Sequence, residues 1–398
     1  MRSNAGRSLL RTALPALVAL AATLLLACGG GGGDGDGGGP AESFAEIRRD
    51  AQGQTVRWWM YGGDDRINRY VDEIVIPAAR EAGVRLERVP VGDTADALQR
   101  VIAQRRAGRE SGGAVDLIWI NGENFAAGKE AGLWLEDWVR ALPNARFVDF
   151  TEPTIAKDFQ VPVEGQEAPW YRAAFALAHD SRKLDEPPHS YAALLGYARR
   201  NPGRFTYPAP PDFTGSAFVR QVVAAMGEDR AFAYLRELEP LMYRRGETFP
   251  ASTAELDALF ANGEVDFAMS YEANFVAAQV ERGMFARSTR PFILGEGALV
   301  NVSYVTIPAD AAHESGAQVV ANLLMSPALQ AKQADPEILG VPTVLDVDSL
   351  PADLRGRFDE LADNPYALSD FGKVQQELPA DRIEPLEQRW EREILRGD

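Results

Sequence analysis

Hydrophobic and polar positions along this chain repeat with two periods, and the switches between them mark its elements. Thr55 to Tyr61 is β-branched and aromatic and stops at Gly62-Gly63, which predicts a strand. Asp64-Asp65 then offers caps for a helix carrying Ile67, Tyr70, Val71, Ile74 and Val75 at helical spacing. Val84 to Val91 reads as a second strand, followed by a helix capped by Asp93 or Thr94 with Leu98, Val101 and Ile102 on one face. Val115 to Ile120 is a continuous apolar run apart from Asp116, as expected of a strand covered on both faces. It breaks at Asn121-Gly122 into a helix that Gly132 stops. The order is βαβαβα, and the right-handed crossover rule makes that a mainly parallel sheet.

A further apolar strand is expected from Ala173 to Ala178, and Glu186-Pro187-Pro188 marks a change of domain. A second α/β pattern follows. It has a helix from Ser190 to Arg200, a strand from Arg204 to Tyr207, the loop Pro208-Ala209-Pro210-Pro211 and a helix starting near Thr214 or Ser216. Ser252 and Glu255 form a capping box for a helix bearing Leu256, Leu259 and Phe260. Val265 to Ser270 and Leu299 to Ile307 read as strands, with a helix over about Gly316 to Gln333 and an irregular helical end. With the chain crossing near residues 180 and 297, two sheet-based lobes would leave a cleft between them. Ligands of open α/β sheets sit beyond the carboxyl ends of strands.

The N-terminus changes the picture by fixing a compartment. Arg2, Arg7 and Arg11 precede an apolar stretch from Leu14 to Ala27 that is short and interrupted by Pro15, which reads as a secretory signal. It closes with Leu25-Leu26-Ala27-Cys28, which matches a bacterial lipobox, and Cys28 is the only cysteine. Gly29 to Pro40 is almost all glycine and predicts a flexible tether. The expected organisation is a signal peptide over 1–27, a lipid-anchored linker over 28–40, a first lobe from 41–181 with 298–398, and a second lobe over 182–297. The formal net charge is −17, and loss of the three leader arginines would leave −20. That balance argues against nucleic acid as a partner.

The lipobox, Trp58-Trp59-Met60-Tyr61-Gly62-Gly63, Asp116 to Phe125 and Phe205 to Phe213 together resemble the YnjB-like ABC-transporter substrate-binding proteins. That group is similar to the binding proteins for thiamine, polyamines, iron and sulfate. The resemblance implies a type II periplasmic-binding-protein fold of two α/β lobes, each a mainly parallel sheet flanked by helices. It also implies a permease and an ATPase as partners, a monomer in the extracytoplasmic space, no cofactor and no enzymatic step.

Loops after the strand ends supply the candidate ligand contacts. In the first lobe these are Tyr61, Gly62, Gly63 and Asp64, then Asn121, Gly122, Glu123 and Asn124. In the second they are Asp212, Thr214, Gly215 and Ser216, then Tyr271, Glu272 and Asn274. Glycines there let backbone approach a ligand, and helix-start N–H groups can donate to it. Asp64, Thr214 and Ser216 read equally well as helix caps. Trp58, Trp59 and Trp119 read as packing residues, whereas Trp170, beside Pro169, is a candidate contact. The acids Asp64, Asp65, Glu123, Asp212 and Glu272 outnumber Arg66, which points to a cationic or amine-containing solute. An oxyanion held by helix N-termini is the alternative. His179, His189 and His313 have no metal-ligand spacing and no nucleophile elbow is present. A tethered sensor of the same fold, or an anchored hydrolase built on paired carboxylates, remains as another class.

Overall fold

The structure, a computed structural model, describes residues 43–272, 274–359, 364–368 and 372–397. The signal peptide, Cys28 and the glycine tether lie outside the described residues. The alternation of β1 (Thr55–Tyr61) buries Val56, Trp58 and Met60. β1 pairs in parallel with β2 (Arg85–Val91) on one side and with β3 (Leu117–Ile120) on the other. The buried Asp116 before β3 has a structural role. Its carboxylate accepts the Arg57 and His313 backbone N–H groups at 2.9 and 3.0 Å.

A two-residue hairpin, β4 (Lys157–Asp158) with β5 (Val161–Pro162), precedes β6 (Glu167–Ala174). The chain then enters β7 (Ala176–Asp180), which pairs antiparallel with both β8 (Phe267–Ser270) and β9 (Thr289–Phe292). It returns through β10 (Ala298–Thr306), which lies antiparallel to β3 and β6, and β11 (Val374–Gln375) completes the larger sheet alongside β10. The chain thus passes between the two sheets at Phe175 and at residues 293–297, and the two-lobed α/β architecture stands. The expected single strand Ala173–Ala178 is in fact split at Phe175 between the two sheets.

The smaller sheet departs from expectation, since its three strands are all antiparallel. One cause is local. The segment Arg204–Tyr207 is extended but outside the sheet, bonded instead through its Arg204 and Phe205 carbonyls to Asp266 and Tyr243 at 2.8 Å. Prolines 208, 210 and 211, lacking N–H groups, cannot continue a ladder. The expected helix Gly316–Gln333 is two helices, Glu314–Leu324 and Pro327–Ala334, because Pro327 restarts the turn behind the Ser326 cap. The segment 298–398 is not confined to the first lobe either. The Ile383–Trp390 helix packs on the smaller-sheet side, where Trp390 Nε1 donates to the Tyr207 hydroxyl at 2.9 Å.

The core joins both sheets. Trp170 stands edge-on to Trp58 at 5.3 Å and to Trp119 at 5.0 Å between ring centroids. Such pairs add about 0.5–1.5 kcal/mol each beyond area burial. A separate cluster of Leu98, Val101, Ile118, Ile120, Phe125 and Trp134 covers the other face of β3. Among the described residues, no helix is long and apolar enough to cross a membrane.

Candidate functional site

The carboxyl ends of β1, β3 and β8 bring most of the candidate loops to one region between the sheets. After β1, Gly62 packs on Pro90, where a Cβ would come within 2.7 Å of the proline ring. Tyr61 remains 45% exposed with its hydroxyl over Gly63, so both glycines serve close packing. Asp64 caps the Asp65–Tyr70 helix, its Oδ1 accepting the Arg66 and Ile67 N–H groups at 2.8 and 3.1 Å. After β3, Gly122 has φ +61° and donates its N–H to Asp158 Oδ2 at 2.7 Å. That left-handed turn aims the following helix, whose first turn exposes Glu123 and half-exposes Asn124. The Asn121 amide lies 3.5 Å from Ser303 Oγ on β10.

The second-lobe candidates divide sharply. Asp212, not Thr214 or Ser216, caps the Phe213–Met226 helix, accepting the Thr214 and Gly215 N–H groups at 3.0 Å and the Thr253 N–H at 3.1 Å. Gly215 sits against the Pro208 carbonyl, where a Cβ would fall 2.0 Å from the oxygen. Ser216 is buried and accepts from Arg220 Nη1 at 2.7 Å. These bonds fix the start of the helix, and Thr214, Gly215 and Ser216 are buried there. Tyr271 is also buried, donating its hydroxyl to Glu377 Oε1 at 2.7 Å. Asn274 donates its amide to the Leu339 carbonyl. Trp170 is a packing residue and not the expected contact, because it is fully buried between Trp58 and Trp119.

Two polar corners result. In the outer one, Tyr171 of β6 donates its hydroxyl to Glu272 Oε2, in the loop after β8, so a side chain of each sheet meets the other. Burial first, and then the nearby Asp64 carboxylate, pushes the Glu272 carboxyl up to about 7 against the opposing effect of the Tyr171 bond. Burial also holds the Tyr171 hydroxyl well above its ordinary range, with the Glu272 charge adding to it. Arg66 stands beside this corner, its Nη2 donating to the Pro336 carbonyl at 3.0 Å. It also lines a cavity of ≈ 960 Å³ with Val280, Glu281, Arg287, Pro336 and Tyr366.

The inner corner is an ion pair taken out of water. Arg220 and Glu377 are 2% and 3% exposed and meet through two bonds at 2.9 and 3.2 Å. Nearby Asp158 is raised well above the usual carboxylate range, chiefly by burial and further by Glu123 and Glu377. Tyr171, Arg66, Asp158, Arg220 and Glu377 were not candidates in the sequence. Tyr171 sits in a strand whose eight positions are nearly all buried, so no alternation marked an open face. Glu377 lies in the irregular tail, where spacing carries no signal.

A family model described as "Bacterial extracellular solute-binding protein" matches residues 73–354. Protein YnjB of Escherichia coli strain K12 is 38% identical over 368 residues, spanning 88% of this chain and 93% of that protein. An extracellular solute-binding protein from Bordetella parapertussis superposes with a TM-score of 0.66 at 14% identity, over 85% of this chain and 98% of the other. The spermidine/putrescine ABC transporter substrate-binding protein PotD from Streptococcus pneumoniae gives 0.63 at 12% identity, over 85% and 99%. At these identities the two structures carry the fold alone.

Proposed function

The chain belongs to the bacterial extracellular solute-binding protein family, and on that footing we propose that it captures a small cationic or amine-containing solute between its two lobes for delivery to an ABC permease. The observation that supports the charge of the solute is the outer corner. There Asp64 and Glu272, from the strand ends of opposite sheets, stand close enough for one to raise the pKa of the other. A cation relieves that repulsion, while an anion adds to it.

Capture works by closure. The solute first meets the loops of one lobe, and rotation at the two crossings brings the second set of contacts onto it. Closure also displaces water, which strengthens each charged contact made inside. Anchoring through an acylated Cys28 would keep the body near its permease and ATPase, and the binding step itself needs neither a partner copy nor a catalytic group. A second reading, an anionic solute, has one observation in its favour: the buried Arg66 Nη1 has no hydrogen-bond partner among the described residues.

Thermal unfolding against a panel of cations, thiamine, spermidine, oxyanions and sugars separates the two. A ligand at a hundred times its dissociation constant adds about 2.7 kcal/mol, enough to raise the transition by several degrees. A rise confined to cationic solutes is the expected result. A rise with oxyanions alone would overturn the charge assignment.

A further inference from the structure

Arg66 is a buried cation with an incomplete set of partners, its side chain only 8% exposed. Nη2 donates to the Pro336 carbonyl at 3.0 Å and approaches that of Ile338 at 3.5 Å. Nη1 is buried and has no hydrogen-bond partner among the described residues. An acid stands by, but loosely: Glu281 Oε2 lies 3.8 Å from Nε, too far for a hydrogen bond, on a side chain 61% exposed. A pair of that kind contributes little, whereas a buried donor left unpaired is costly.

The surroundings have room for a better partner. Arg66 lines the ≈ 960 Å³ cavity together with Asp335 and Glu337, which follow a helix bonded to the Trp170 carbonyl of β6 through Gln330 and Gln333. Val280, Glu281 and Arg287 line it from the connection between β8 and β9. The cavity thus lies between elements of the two sheets, and its volume is that of a small-molecule pocket. Its lining carries both signs, with two guanidinium groups and three carboxyl groups.

We propose that this cavity takes a zwitterionic solute of the amino-acid class, with the carboxylate of the solute on Arg66 and its ammonium group toward Glu281. The inference rests on the solute-binding reading above and narrows it to an amine that also bears a carboxylate. A planar carboxylate matches the guanidinium fork and can accept two of its N–H groups at once. On arrival it takes the place of Glu281, whose exposed side chain swings aside and stays within reach of the ammonium group. A diamine offers Arg66 only like charge. A dicarboxylate meets like charge at Glu281, Asp335 and Glu337.

Matched pairs of probes test this: lysine with cadaverine, ornithine with putrescine, and arginine with agmatine. The members of each pair share their basic groups and differ by one carboxylate. Calorimetric titration of each at neutral pH gives the ratio of affinities within a pair. The expected result is that the carboxylate-bearing member of at least one pair binds roughly 10- to 150-fold tighter, as a charge-assisted contact requires. Arg66→Gln should bring that member down to the level of its partner. Arg66→Lys, which keeps the charge and loses the fork, should lose part of the gain.

The ratio in the unaltered protein needs no variant to fold. Diamines binding as tightly as their carboxylate partners would overturn the inference and leave the amine reading standing. A ratio unchanged in folded Arg66→Gln would place the carboxylate elsewhere and overturn it as well. Binding of oxyanions, with none of the six probes bound, would overturn both the inference and the amine reading.

Discussion

Single residues show where a sequence speaks of chemistry and where it does not. Asp64 was legible as a helix cap, because a polar residue after a strand end and before an apolar-periodic run is a local signal. The polar task of Tyr171 was not, since its strand hides nearly every position and only its bond to Glu272 reveals that task. Trp170 misled for a related reason: tryptophan beside a loop suggests a platform, yet here it fills the aromatic wedge between Trp58 and Trp119. Trp170→Ala should therefore cost about 3–5 kcal/mol in urea unfolding, the range for emptying an aromatic core site. Glu272 should show the opposite sign. Its folded carboxyl is raised from 4.5 to about 7, so its stability contribution is fully present below about 4.5 and is lost as pH rises through 7. Glu272→Gln should raise the unfolding midpoint at pH 8, by at most about 3 kcal/mol of stability, and change it little at pH 4.

At the scale of elements, the caps and strand cores were readable and the joins between lobes were not. Ser190, Asp64 and Ser252 cap helices where local sequence places them, because capping is decided within four residues. The β9 strand and the antiparallel character of the smaller sheet depend on partners tens of residues away. So does the tail, which leaves β11 beside β10, sets Glu377 on Arg220, and lays its Ile383–Trp390 helix on the far lobe. Glu377→Ala should cost about 3–5 kcal/mol by leaving Arg220 charged and unpaired, measured by denaturant unfolding. Replacing Arg220 and Glu377 together with apolar residues of similar volume should cost much less. Gly215→Ala should also lower the melting temperature, since the Pro208 carbonyl is backbone and cannot move aside alone.

The whole molecule is an α/β body of two sheets, and its family is legible in a few segments of the sequence. What no segment could reveal is that the cleft side chains from opposite lobes touch each other, because that contact exists only once both sheets are folded. In the proposed mode of capture, Asp64 contributes its charge to the solute, beyond capping its helix. Asparagine caps a helix about as well as aspartate, so Asp64→Asn removes the charge and keeps the fold. The decisive measurement is the affinity of this variant, against the unaltered protein, for the cationic solute giving the largest thermal shift. Loss of a charge-assisted contact of about 1.5–3 kcal/mol predicts binding weakened roughly 10- to 150-fold at pH 8, with an unchanged unfolding midpoint in the absence of solute. Unchanged affinity in a variant that unfolds as the original does would mean that Asp64 serves its helix alone and takes no part in binding the cation.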